Sequence, residues 1–342
     1  MFYNTPDEYA WRYMYATGAF LPLIMFFFIK CFMPESPRWL LQKNRDDDAK
    51  QVLTKLCSGN EEEAAVVARD IKESIEKEEA AFQLGWKFLL CHPTPGYRRM
   101  LLAGIVAGIS QQVVGISAIS TCQIFLLDQS GVHDRHWQAL TLVLIQIGKS
   151  VVTFGSSYLI DSWGRRSLSF ISIAGILVAL IVLAVDFHGS SGATSWVAIL
   201  GLSLYMVSFA AGMGPVAWLV PSEVFTTSIR AKGTSITTFC NRAVSTIMAF
   251  SFLQLANAAT WSGAFSVLIV LSILMAILIY FLMPETTGRS LEDMAVYFAT
   301  LTGDMTVLDN LQTEHTSSSD DEESRSSKRT ASTTITSQDV VT

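Results

Sequence analysis

The chain has 342 residues, of which 50% are hydrophobic and only 16% charged, and its net charge is −6. A soluble domain carries about a quarter charged residues, so this balance excludes an ordinary soluble globule. The acidic surplus sits in polar segments, and no nucleic-acid partner is expected. The five cysteines, Cys31, Cys57, Cys91, Cys122 and Cys240, are scattered without metal spacing and read as reduced packing residues.

Residues 1–10 form a polar stub carrying Asp7 and Glu8 but no basic n-region, so a signal peptide is not expected. Apolar runs follow at about 11–33, 99–127, 137–160, 167–187, 195–221, 231–257 and 262–283. Each is long enough to span a bilayer, which takes about 20 residues. Between the first two lies a charged insert, 34–98. Val52, Leu53, Leu56, Val66, Val67, Ile71 and Ile75 recur there at helical spacing. Asp46-Asp47-Asp48 suits the start of one short helix, Ser58-Gly59-Asn60 ends it, and another is expected from Glu61. His92-Pro93-Thr94-Pro95-Gly96 closes the insert. Beyond 283 come a motif and short helix over 284–302. The tail, 303–342, is too polar to fold, and its Ser317–Ser319 and Ser332 read as weak phosphorylation signals.

Orientation follows from the basic loops. Arg165, Arg166, Arg230 and Lys232 lie in short connections, and many Lys and Arg lie in the long insert. The loops on the opposite side, near 128–136, 187–195 and 257–262, carry only Arg135. The insert and C-terminus are therefore expected in the cytoplasm and the stub outside.

Short motifs stand at the span edges: Pro34-Glu35-Ser36-Pro37-Arg38-Trp39, Asp161-Ser162-Trp163-Gly164-Arg165-Arg166, Gly214-Pro215-Val216-Ala217-Trp218 through Glu223 to Arg230, and Pro284-Glu285-Thr286-Thr287-Gly288-Arg289. In this order they resemble the sugar porter family of the major facilitator superfamily. The resemblance runs from about Trp11 to Met294 and covers the family's sixth to twelfth membrane helices; the first five are not among them. It implies an all-α integral membrane protein. The expected architecture is the C-terminal six-helix half of a major facilitator fold, one preceding membrane helix and a cytoplasmic helical insert. It implies a carrier for a hexose or polyol working by alternating access, with the plasma membrane as the expected location. An N-terminal half is the expected missing partner.

The resemblance also supplies candidate residues. Gln111-Gln112-Val113-Val114-Gly115-Ile116-Ser117 follows the family's Gln-Gln-x-x-Gly-x-Asn, with Ser117 for the Asn. Carboxamides donate and accept, which suits sugar hydroxyls. Gln111, Gln112, Ser117, Trp218 and Asn241 are thus substrate candidates. Counting supports one level for this site. Gln111 lies 12 residues after Arg99, Lys149 lies 12 before Asp161, and Trp218 and Arg242 lie 12 on either side of Arg230. At 1.5 Å per residue each is roughly 18 Å from that edge, near the middle of a core about 30 Å thick. Gly212-Met213-Gly214-Pro215 is expected to break the tenth helix through its proline, where broken backbone lines a cavity. Glu35, Arg38, Asp161, Arg165, Arg166, Glu223, Arg230, Glu285 and Arg289 match a charge-pair latch between helix ends and insert, one charge short at Ser162.

The chain departs from the family at several points. Thr121 and Cys122 replace a Tyr pair, and Ala210 replaces a Glu. Lys149 and Arg242 stand where uncharged residues are usual, and a mid-membrane charge is by default a functional residue. Two further readings therefore stay open: a carrier of acidic or phosphorylated sugars or organic anions, and a truncated, non-transporting partner or sugar sensor. Gly148-Lys149-Ser150 is no phosphate loop, because Val143 occupies the first glycine position. No catalytic set, metal cluster or nucleotide motif is present, so neither an enzyme nor a cofactor is expected.

Overall fold

The computed structural model describes residues 7–57, 59–80, 86–188, 194–304 and 306. The tail serines and most of the 303–342 segment lie outside them. The chain divides into two compact units, Met1–Ala81 and Phe82–Thr342.

In the first unit, α1 (Asp7–Phe32) is a 26-residue helix with exposed Phe20, Phe26, Phe27 and Phe28. A helix apolar on all sides suits a lipid environment. Three short helices follow: α2 (Pro37–Gln42), α3 (Asp46–Leu56) and α4 (Glu61–Ala80). Pro37 opens α2 at a position whose N–H has no intrahelical partner. Asn60 Oδ1 accepts the N–H groups of Glu62 and Glu63 at 3.2 and 3.3 Å, capping α4. Leu40, Leu41, Ala49 and Ile75 bury one small core, and Leu53, Ala64 and Ala68 bury another. Lys72 Nζ meets Asp46 at 3.1 Å, tying α4 to the start of α3.

The second unit contains α5 (Trp86–Cys91), α6 (Pro95–Val113), α7 (Ile116–Gln129), α8 (Arg135–Trp163), α9 (Arg165–Asp186), α10 (Ser195–Ala211), α11 (Met213–Val224), α12 (Thr227–Ala259), α13 (Trp261–Leu282) and α14 (Leu291–Thr302). The α6–α7 pair and the α10–α11 pair each make one broken span. With α1, seven spans among the described residues are long and apolar enough to cross a membrane. Among the described residues there is no strand.

The run read as continuous over 99–127 is interrupted at Gly115, where φ is +97°. Hydropathy carries no sign of φ, so only the conformation reveals this break. The freed carbonyl of Val114 is not orphaned: Tyr205 on α10 donates its hydroxyl to it at 3.0 Å. In lipid every such group must find an internal partner.

The second break differs from its expected cause. It falls at Gly212, and Pro215 sits in the first turn of α11, where its missing N–H costs nothing. A Cβ at Gly212 would lie 2.5 Å from the Leu168 carbonyl oxygen of α9, so the close approach of α9 demands glycine. Gly214 is less confined; a Cβ there would lie 3.3 Å from the Phe209 ring. Ser172 of α9 brackets the break, donating to Ser208 O at 2.6 Å and accepting the Met213 N–H at 3.1 Å.

α6 packs on α11, α12, α13 and α14, and α9 packs on α10 and α13. Tyr97, Met100, Ile119, Tyr205, Phe265 and Leu268 are among the residues that fill the shared core. Such packing, rather than water exclusion, holds helices together in lipid.

Candidate functional site

Two polar regions stand out in the second unit. The first joins the α6–α7 break to α12. Gln112, one turn before Gly115, and Asn241, mid-way along α12, are both buried. Asn241 Nδ2 donates to the Gly108 carbonyl at 2.6 Å, and its Oδ1 accepts from Gln112 Nε2 at 3.4 Å. Ser117 Oγ donates to Gln112 Oε1 at 2.6 Å. Its proton thus committed, Ser117 accepts from Ser245 Oγ across 2.7 Å. The result is a one-way donor chain, Ser245 to Ser117 to Gln112 to Asn241 to Gly108 O.

Ser245 was not among the sequence candidates, though it lies four residues after Asn241 on one helix face. Gln111 is buried beside Gln112. Trp218 is different: it is 44% exposed, with the Arg242 guanidinium 5.8 Å from its ring. Lys149 does not join that pair. It is half-buried on α8, and its Nζ lies 5.8 Å from the Phe209 ring of α10. The two cations thus rest on aromatic faces on either side of the α10–α11 break. A cleft of about 600 Å³ between α8 and α10, lined by Trp137, Leu144, Trp196 and Ile199, includes none of the candidates.

The second region is the charged edge where α8, α9, α11 and α13 end. Gly164, at φ +87°, turns the chain between α8 and α9. Both carboxylate oxygens of Glu285 accept backbone N–H groups there, from Arg165 at 2.9 Å and Arg166 at 3.1 Å. A carboxylate at a helix N-terminus is favoured by the helix dipole. Partial burial raises the Glu285 carboxyl, but the Thr287 hydroxyl and three backbone N–H groups outweigh it and hold it below the ordinary glutamate range. The Arg165 guanidinium makes four hydrogen bonds and one further ion pair. They go to Glu223 Oε1 at 3.2 and 2.9 Å, Asp161 Oδ1 at 3.2 Å, Ile160 O at 3.2 Å and Thr287 Oγ1 at 3.3 Å. The second oxygen of Glu223 accepts from Thr286 at 2.5 Å.

This edge corrects the expected set of charge pairs. Glu285 serves backbone amides, not guanidinium groups. Arg166 donates to the Tyr280 carbonyl at 2.6 Å and lies 4.9 Å from that residue's ring. Arg230 donates to Phe225 O at 3.4 Å, and Arg289 stacks 5.3 Å from the Tyr297 ring. Three arginines face carbonyls and rings because the carboxylates are already engaged. Ser162 turns its hydroxyl back to Tyr158 and Leu159 of its own helix. Glu35 and Arg38 are exposed and belong to the first unit.

Comparison with known proteins agrees with this architecture. The family described as "Sugar (and other) transporter" matches residues 1–298. Probable polyol transporter 4 of Arabidopsis thaliana is 34% identical over 291 residues, covering 84% of this chain and 55% of that protein. The major myo-inositol transporter IolT of Bacillus subtilis (strain 168) is 30% identical over 298 residues, covering 85% and 61%. Among solved structures, the inward-open xylose transporter XylE from E. coli superposes with a TM-score of 0.66 at 23% identity, covering 86% of this chain and 60% of that one. The chain belongs to the sugar transporter family, within the major facilitator fold. It spans 55% of polyol transporter 4 and 64% of probable polyol transporter 6 of Arabidopsis thaliana.

Proposed function

We propose that this chain forms the C-terminal wall of a carrier that moves a polyol or hexose across the membrane by alternating access. The donor chain from Ser245 to Gly108 O carries the reading. It fixes Gln112 and Asn241 in one orientation at the α6–α7 break, and Arg242, the residue after Asn241, lies over the exposed ring of Trp218. Hydroxyl-rich solutes need preorganised donors and acceptors together with an apolar face, and this wall supplies both. Gln111, Gln112, Ser117, Trp218 and Asn241 are the substrate contacts in this reading, and the Gly212 break lets α11 move relative to α10. Lys149 and Arg242 rest on rings, which offsets part of the cost of charge in lipid and favours a neutral substrate. The Arg165–Glu223–Glu285 edge is the conformational latch, with Asp161, Arg166, Arg230 and Arg289 around it. Polyol and myo-inositol transporters among the relatives support the substrate class.

The insert and C-terminus face the cytoplasm of a plasma membrane in this reading, supported by the loop charges. The direct test is uptake of labelled myo-inositol, sorbitol, xylose and glucose by proteoliposomes of the full-length protein. Saturable uptake of at least one is expected, with loss in Trp218→Ala. Absence of saturable uptake for all four would sink the reading. Cysteine labelling tests orientation: Cys57 and Cys91 should react from outside only after permeabilisation.

A further inference from the structure

The foot of α6 holds a contact that neither the transport site nor the latch uses. Thr94 is the N-cap of α6, yet its side chain makes no capping bond to its own helix. The Gly96 N–H is taken instead by Asp304 Oδ2 at 3.0 Å, from just beyond α14. Thr306 donates its backbone N–H to Asp304 Oδ1 at 3.1 Å and its hydroxyl to the same oxygen at 2.6 Å. The Thr306 and Thr94 hydroxyls are 3.5 Å apart, which sets Thr94 beside the carboxylate that Thr306 binds. A distant carboxylate thus performs the capping that the local threonine would otherwise provide. It fastens the end of α14, whose Met294, Ala295, Phe298 and Ala299 are buried, to the start of α6.

Protons do not open this clasp. Partial burial raises the Asp304 carboxyl, but the Thr306 and Thr94 hydroxyls and the Gly96 and Thr306 N–H groups outweigh it, bringing it to about 2. Asp304 stays charged throughout the physiological range. A competing anion at the same helix end would open it. Thr94 is placed to carry one. It is half-buried, follows the exposed His92 and the half-buried Pro93, and precedes Pro95. Its backbone is extended, at φ −63° and ψ 160°, as the following proline demands. An extended Thr-Pro segment next to exposed residues is the form a proline-directed protein kinase accepts.

We propose that Thr94 is a phosphorylation site and that its phosphate displaces Asp304 from the foot of α6. The Thr94 hydroxyl oxygen attacks the γ-phosphorus of a nucleoside triphosphate. The bond from that phosphorus to the β–γ bridging oxygen breaks, the diphosphate leaves, and the hydroxyl proton passes through the kinase to solvent. The new group carries about two negative charges. It takes over the helix N-terminus, with the exposed Arg98 one turn further along α6. Asp304, now facing like charge, is expelled, and the chain beyond Thr302 is untied from α6. This inference rests on the cytoplasmic placement of residues 92–96 proposed above.

The test uses the full-length protein purified in detergent, where both faces are accessible. It is treated with a proline-directed serine/threonine kinase and magnesium ATP, then followed by phosphopeptide mass spectrometry and amide hydrogen exchange. Phosphate is expected on Thr94, with exchange over residues 299–306 faster by about tenfold or more. Thr94→Val should abolish both effects and Thr94→Ser should restore them. Asp304→Asn should loosen the same segment without kinase. Failure of the folded protein to accept phosphate at Thr94, or unchanged exchange after modification, would overturn the proposal. Labelling of Cys91 from outside unpermeabilised cells would reject it as a cellular modification site. The detergent result would still decide whether the clasp responds to phosphate, and neither result bears on sugar uptake.

Discussion

The charged edge and the mid-span wall of the second unit solve the same problem in opposite ways. At the edge, Arg165 meets Glu223, Asp161, Ile160 and Thr287, and Glu285 spends both oxygens on the start of α9. Arg165 pairs there with Glu223 and Asp161, while Arg166, Arg230 and Arg289 face carbonyls and rings. At the wall only the neutral groups close among themselves, through Ser117, Gln112 and Asn241. Lys149 and Arg242 are left leaning on the rings of Phe209 and Trp218. A closed ionic network resists rearrangement until a whole set of bonds breaks together. At the wall the ring of Trp218, 44% exposed, stays available to a partner or solute. The contrast matches the proposed division between a latch at the edge and a binding wall at mid-span.

The largest expected effect lies between the two regions, at the α10–α11 break. Gly212→Val should destabilise the protein by about 3 kcal/mol or more, because the Leu168 carbonyl is backbone and cannot yield. Gly148→Ala, inside α8 with nothing within 4 Å of the new Cβ, should leave the unfolding midpoint in detergent equal or slightly raised. Equal unfolding midpoints for the two variants would refute the requirement for glycine at 212. Next comes Arg165→Ala, which strands Glu223 and Asp161. Its side chain is 12% exposed and that of Glu223 26%, so a loss of about 2 kcal/mol is expected, below the 3–5 typical of a fully buried pair.

Asn241→Ala should cost about 1–2 kcal/mol by freeing the Gln112 amide and the extra bond to Gly108 O. Coupling belongs to this prediction: Gln112→Ala in the Asn241→Ala background should add little, since the two share one chain of bonds. Strict additivity in the double-mutant cycle would show that no such chain exists. Arg242→Gln should cost only about 0.5–1 kcal/mol, the worth of one cation–ring contact. If it destabilised the protein as much as Arg165→Ala, the distinction between closed edge and open wall would fail.

The smallest effect is the response to pH. The Glu285 carboxyl is held below its ordinary range, so its contribution is complete above that range and is lost only as pH falls through the depressed value. Stability should therefore be flat with respect to Glu285 between about pH 5 and 8. Comparing the pH dependence of unfolding with that of Glu285→Gln measures this, and a Glu285-dependent loss near pH 6 would contradict the assignment.

Residue order alone determined the membrane character, the spans and the family. Apolar length and edge motifs are local properties, readable without contacts. The insert helices were legible for the same reason: Asp46–Asp48 is a start signal and Ser58-Gly59-Asn60 a stop carried by adjacent residues, though the capping role of Asn60 was not read. The candidates Gln112, Ser117 and Asn241 came from motif position, but their mutual engagement did not. It joins residues about 130 positions apart, and no pattern in one strand of text encodes which amide meets which. The tertiary structure also assigned the expected break at 212–215 to Gly212 instead of the proline, added one at Gly115, and gave Glu285 to backbone amides. Each of these depends on how closely a second helix approaches or on the sign of a single φ. Close approach and left-handed φ are decided by packing among spans, and composition is blind to both.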